Sequence, residues 1–127
     1  MRLLLKVTAL LEAATGLGFV AMPSVVVQLL LGAPLDSSAA TMLGRVAGVA
    51  LLALAVACWL ARDDTYSPAA RGLVAAMFLY NVAVAALLVF AGVGLGLRGI
   101  ALWPAVILHA AMAVWCVPCL LFAPKAT

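Results

Sequence analysis

Charge is the first thing this sequence is short of. Seven Lys and Arg and four Asp and Glu make up only 9% of its 127 residues, and 69% are hydrophobic. A soluble domain carries about 25% charged residues, so an ordinary soluble domain is excluded, and the apolar content excludes disorder. Short alternating apolar and polar segments are missing, which excludes a membrane β-barrel. The net charge is +3, but the basic residues form no patch, which removes nucleic acid as a partner. Three cysteines cannot close a disulfide framework. The single histidine cannot alone supply the two axial ligands that a b-type haem usually takes.

What the chain has instead is four long apolar runs. A spanning helix needs about 20 mostly apolar residues. Runs at about 3–22, 39–61, 71–91 and 99–121 meet that length, and the apolar piece 24–31 after Pro23 is too short to cross. The fold class that follows is all-α: a polytopic membrane protein whose four transmembrane helices form an antiparallel up-down bundle. The piece 24–31 is expected to lie at the interface. One domain, 1–127, holds everything.

Local signals support these boundaries. Arg2 and Lys6 mimic the start of a signal peptide, but Glu12 interrupts the apolar region and no cleavage site follows, so the first run reads as a retained helix. Asp36 or Ser37 can cap the second span, and Ser67-Pro68 pairs an N-cap with a proline at the first helical position. Gly44 and Gly48 form a small-xxx-small motif that permits close helix approach. The glycines at 92, 94, 96 and 99 form a turn, because no strand precedes them and no phosphate-binding lysine follows. Pro118 is expected to kink or end the fourth helix.

Orientation follows from the basic residues. With the N-terminus inside, Arg2, Lys6, Arg62, Arg71 and Lys125 lie on the inner side and Arg98 alone on the outer. That is a strong positive-inside bias, placing both termini in the cytoplasm of a bacterial inner (plasma) membrane. Trp59 and Trp115 then fall at the inner interface and Trp103 at the outer one. A faint internal echo relates Arg2 and Glu12 to Arg71 and Asn81, which are equally spaced.

Each span contributes one strongly polar residue to a middle zone: Glu12, Arg45, Asn81 and His109, with Tyr80 beside Asn81. Arg45 lies roughly 7 Å outward of its span's centre, within reach of its long side chain. Charges at membrane depth are costly unless paired, so Glu12 and Arg45 are the expected ion pair, completed by Asn81 and His109 as a hydrogen-bond network. Thr8 and Gly16 flank Glu12, Thr41 and Gly48 flank Arg45, and Ala85 flanks Asn81. Such a layer either fixes helix pairing or lines a cavity for a small amphipathic or ionic ligand.

On a helix, His109, Met112, Cys116 and Cys119 share one stripe that should face the bundle interior. Cys116-Val117-Pro118-Cys119 is a CxxC with a proline before the second cysteine, and Cys58 sits near the same level. Soft-metal or redox chemistry is one reading; the other is cysteine as a small buried hydrophobe. No cofactor is expected, although His109 in a dimer would suit haem and the thiols a soft metal. Asp63 and Asp64 read as a solvated loop pair.

A first span ending in proline, an apolar hop ending in glycine, and Arg45 followed by Gly48 resemble small bacterial four-helix membrane proteins of the DoxX-like type. That resemblance implies an inner-membrane four-helix protein. Glu12 is also similar to the membrane-embedded glutamate of the small multidrug resistance transporters. The expected function is a binding or accessory protein with no catalysis of its own. Two alternatives are a small proton-coupled transporter using Glu12 and a redox or metal-binding protein using Cys116 and Cys119. Its partners are the lipid bilayer and a homo-oligomer or larger membrane complex.

Overall fold

A computed structural model describes residues 1–64 and 67–121, so Lys125 of the expected inner-side set lies outside the described residues. Five α-helices follow one another: α1 (Arg2–Ala21), α2 (Pro23–Leu31), α3 (Ser38–Ala61), α4 (Pro68–Val89) and α5 (Leu102–Leu121). Among the described residues there is no strand, and four helices are long and apolar enough to cross a membrane. Large apolar side chains cover the outside, with Leu60 72% and Ile100 81% exposed. A surface apolar on every side needs an apolar solvent, because water would drive it to aggregate.

The helix starts follow local chemistry. The Ser37 hydroxyl accepts from Ala40 N at 3.1 Å, and Ser67 accepts from Ala70 N at the same distance, with Pro68 entering α4 behind it. Each cap satisfies one backbone donor that a helix start leaves free. Gly32 ends α2 in the left-handed conformation at φ 74°, where a side chain would be strained and would also strike the backbone of Arg98 and Gly99.

Two helix pairs make the molecule: α1 packs mainly on α3, and α4 on α5. Along the first pair Arg2 meets Asp63 and Gly16 meets Gly48, while Pro23 at the start of α2 meets Gly44. The helices cross tightly at Gly16 and Gly48: a Cβ on either would lie 2.8 Å from the other's carbonyl oxygen. The small-xxx-small motif therefore does the work its spacing implies. One apolar plug joins the pairs, built from Leu4 and Leu5 of α1, Cys58 of α3, Val74 and Met77 of α4, and Met112 and Cys116 of α5.

Three expected boundaries shift. The third helix does not stop at 91; a π-helical turn, Phe90–Gly94, continues it, with Leu95 N donating to Phe90 O at 3.1 Å. The fourth long helix starts at Leu102 instead of 99, because the chain before it is bound to α2: Ala101 N donates to Leu29 O at 2.9 Å and Gly99 presses on the Leu30 backbone. Pro118 does not end α5, which runs to Leu121. It lies close enough to the end that only the Val114 carbonyl loses its helical donor.

Asp63 is more than a solvated residue. Its carboxylate pairs with Arg2 across the helix ends and with Arg62 Nε at 3.4 Å, while the Arg62 guanidinium lies 4.2 Å from the Trp59 ring centroid. The hydrogen bond from Arg2 holds the Asp63 carboxyl below the usual carboxylate range, helped by the charges of Arg2, Arg62 and Lys6. A carboxyl lowered by folding adds stability that is complete above its unfolded value and lost as pH falls through its folded one. Thermal stability in detergent should drop on acidification below about pH 4, and the drop should shrink in Asp63→Asn.

Gly48→Leu should overpack the α1–α3 crossing and destabilise the protein by about 1–3 kcal/mol. Gly72→Ala, where a Cβ meets nothing within 4 Å, should be neutral or stabilise by up to about 1 kcal/mol. Thermal unfolding in detergent compares the two, and equal effects would mean that the crossing is not close-packed.

Candidate functional site

Between the two helix pairs, beyond the apolar plug, lies a buried polar layer. Asn81, 2% exposed on α4, is its pivot. Its Nδ2 donates to the Met77 carbonyl one turn earlier at 2.8 Å. That back-bond on its own helix orients the amide, leaving Oδ1 for His109 Nδ1 of α5, also at 2.8 Å. The Tyr80 ring meets the His109 ring edge-on, with centroids 5.7 Å apart and planes at 76°. Its hydroxyl points to Glu12 Oε2 of α1 across 3.5 Å, a long hydrogen bond.

Glu12 is 7% exposed and, among the described residues, pairs with no cation. The expected Glu12–Arg45 ion pair does not form. Arg45 is exposed and lines a surface recess of about 360 Å³ with Asp36, Ser37, Ser38 and Thr41 at the start of α3. The reason is axial register. Gly16 sits against Gly48 and Leu52, so Glu12, one turn earlier on α1, is level with the turn after Leu52. Arg45 is then roughly 10 Å or more away along the axis, beyond the reach assumed from span centres. Among the described residues both ion pairs belong to Asp63.

Two spaces meet this layer. A cavity of about 50 Å³ is bounded by Thr8, Glu12, Thr15, Asn81 and Met112, together with Tyr80, Leu108 and His109. A larger cleft of about 600 Å³ shares Thr15, Tyr80, Leu108 and His109 with it and runs on between Phe19, Leu30, Val84, Leu88 and Ala105. The cleft is apolar along its length and polar only at its inner end. Thr15 and the apolar cleft wall were not anticipated from the sequence. Thr8, Glu12 and Thr15 follow i, i+4, i+7 spacing, the signal that could have found Thr15.

The cysteines lie elsewhere. Cys58 and Cys116 are fully buried in the plug with Cys119 packed beside them, and all three are free thiols. Among the described residues no three His, Cys, Asp or Glu side chains group closely enough to hold a metal ion. The interior stripe is as expected: Met112 and Cys116 are buried, and His109 and Cys119 half-buried.

Fold and site together define a helical protein with four helices able to span a membrane and an apolar cleft ending on a buried polar layer. The chain matches no family model, and no curated protein or solved structure is significantly similar to it.

Asn81→Leu removes two hydrogen bonds, one within α4 and one to α5, and should destabilise the protein by about 1 kcal/mol in total. A double-mutant cycle of Glu12→Gln with Arg45→Leu should give a coupling energy within about 0.5 kcal/mol of zero. A coupling of several times that would restore the ion pair.

Proposed function

We propose that this is a small bacterial inner-membrane binding or accessory protein, which holds a small amphipathic ligand between its two helix pairs and carries no catalysis of its own. The observation that carries the reading is the cleft of about 600 Å³, mostly apolar and lined also by Thr15, Tyr80 and His109. Small-molecule sites are typically ~300–1,000 Å³, mostly apolar, with a few placed polar groups. An apolar body would lie along Val84, Leu88 and Ala105, and its head would meet the polar layer.

In this reading the four long helices span the bilayer as an antiparallel up-down bundle. The Arg2–Asp63, Gly16–Gly48 and Pro23–Gly44 pairings support it, as does the plug, which joins the first turns of α1 and α4 to the last turns of α3 and α5. Helix α2, nine residues long, is too short to cross and lies at the outer interface. The basic residues put both termini in the cytoplasm. The DoxX-like layout is the family-level expectation that accompanies this arrangement.

Glu12 favours a second reading. A buried carboxyl facing a cavity with no cation beside it is the group that a small proton-coupled transporter would use. Under that reading Glu12→Gln abolishes coupled uptake in vesicles while leaving the cleft intact.

Methyl-labelled protein in lipid nanodiscs tests the main reading. Adding 1-decanol should move the Val84 and Leu88 methyl signals, and Ala105→Trp, which fills the cleft, should suppress the shifts. Wild-type signals that stay still would end the proposal. Reporter fusions at Thr127 and within the 92–99 turn should report opposite sides of the membrane.

A further inference from the structure

A second concavity lies on the α1–α3 pair and shares no residue with the cleft. It is an open groove of about 550 Å³ lined by apolar side chains of both helices. Ala9 and Ala55 are buried along it and Ala13 half-buried, while Leu10, Val56 and Leu60 stand exposed at its sides. The sequence explains the gap. Gly16 and Gly48 set the closest approach of α1 and α3. Between that crossing and the Arg2–Asp63 contact, the three alanines are too short to fill the space beside them.

Apolar side chains facing lipid are ordinary; what sets this groove apart is the charge at its end. Lys6 precedes Ala9, Leu10 and Ala13 by three, four and seven residues, so it stands on the groove's own face of α1. Arg2 opposite Asp63 and Gly16 opposite Gly48 bring Lys6 level with Trp59, the one aromatic of α3 and a lining residue of the groove. A tryptophan near the end of a spanning helix marks the membrane–water boundary, and the Arg62 guanidinium lies over this one. Arg2, Lys6 and Arg62 gather here against Asp63 and Asp64. Asp63 takes both arginines, and among the described residues no carboxylate pairs with Lys6. The groove therefore leads from an apolar floor at membrane depth to an uncompensated ammonium at the boundary. A phospholipid has its parts in the same order, acyl chain and then phosphate.

We propose that this groove seats one acyl chain of an anionic phospholipid from the leaflet at this end of the helices, with its phosphate on Lys6. Lysine serves phosphate as a point charge on a flexible stem, and basic pockets between spanning helices hold anionic head groups in this way. A zwitterionic lipid carries a cation of its own beside the phosphate and gains less from Lys6.

Methyl-labelled protein in phosphatidylcholine nanodiscs tests the site as phosphatidylglycerol replaces the host lipid. The Leu10 and Val56 methyl signals should shift and saturate, while phosphatidylethanolamine, without net charge, leaves them in place. Glycerol 3-phosphate, a head group without chains, should not move them either. Lys6→Gln should raise the phosphatidylglycerol fraction at half-shift about fivefold, the worth of one lysine near a membrane surface. Lys6→Arg should restore the affinity. Arg98→Gln, at the other end of the molecule beside Gly32, should leave it unchanged. A shift that phosphatidylethanolamine or glycerol 3-phosphate reproduces, an unchanged half-shift in Lys6→Gln, or an equal loss in Arg98→Gln would overturn the proposal. So would signals that follow the number of chains per disc at fixed lipid composition, which would give the groove to a second copy of this chain. Leu10 and Val56 line no part of the cleft, so their response is independent of the ligand-binding reading, and only the spanning of the bilayer is common to both.

Discussion

At the centre of a bilayer a polar side chain finds no water to bond with, so whatever it needs must come from its own protein. Everything distinctive about this molecule follows from how that demand is met at Asn81. Its amide uses one side on its own helix, at Met77 O, and offers the other to His109 on the next. One residue thus joins α4 to α5 and, with its oxygen turned to the ring, calls for the hydrogen on His109 Nδ1. Neither bond is strong: interhelical hydrogen bonds in membranes average about 0.6 kcal/mol. Their effect is orientation more than stability.

The cleft exists because the two helix pairs close differently. Within the first pair, glycine meets glycine and the backbones touch at Gly16 and Gly48. Between the pairs, contact is concentrated in the plug near Leu4, Leu5, Cys58, Val74 and Cys116. Past the plug the pairs separate around Thr8, Glu12 and His109, and the gap widens into the apolar cleft. Helix α2 covers part of it with Val26, Leu29 and Leu30, tied to the start of α5 through the Ala101–Leu29 hydrogen bond.

The plug is where the cysteines lie. Cys58 and Cys116 occupy positions where a small, dense, weakly polar side chain packs well, and they sit apart from the polar layer. Arg45 is a parallel case. A long side chain near a helix start can carry its charge toward the membrane surface, and Arg45 stands beside Asp36 and Ser38 there instead of descending to Glu12.

The sequence by itself determined the helical class, the four long apolar segments, the Ser37 and Ser67 caps, and the polar identity of Glu12, Tyr80, Asn81 and His109. These are legible because membrane depth imposes a length on apolar runs and makes every polar interruption conspicuous. Tertiary structure alone decided which polar residues meet. That depends on axial register, set by where Gly16 meets Gly48, and a slip of a few residues moves a side chain by several ångströms. Register between α1 and α3 left Arg45 away from Glu12, and the packing of α4 beside α1 put Tyr80 there instead. Only the folded chain shows the cleft wall as well, since a valine facing a cavity and a valine facing lipid read identically in a span that is apolar all round.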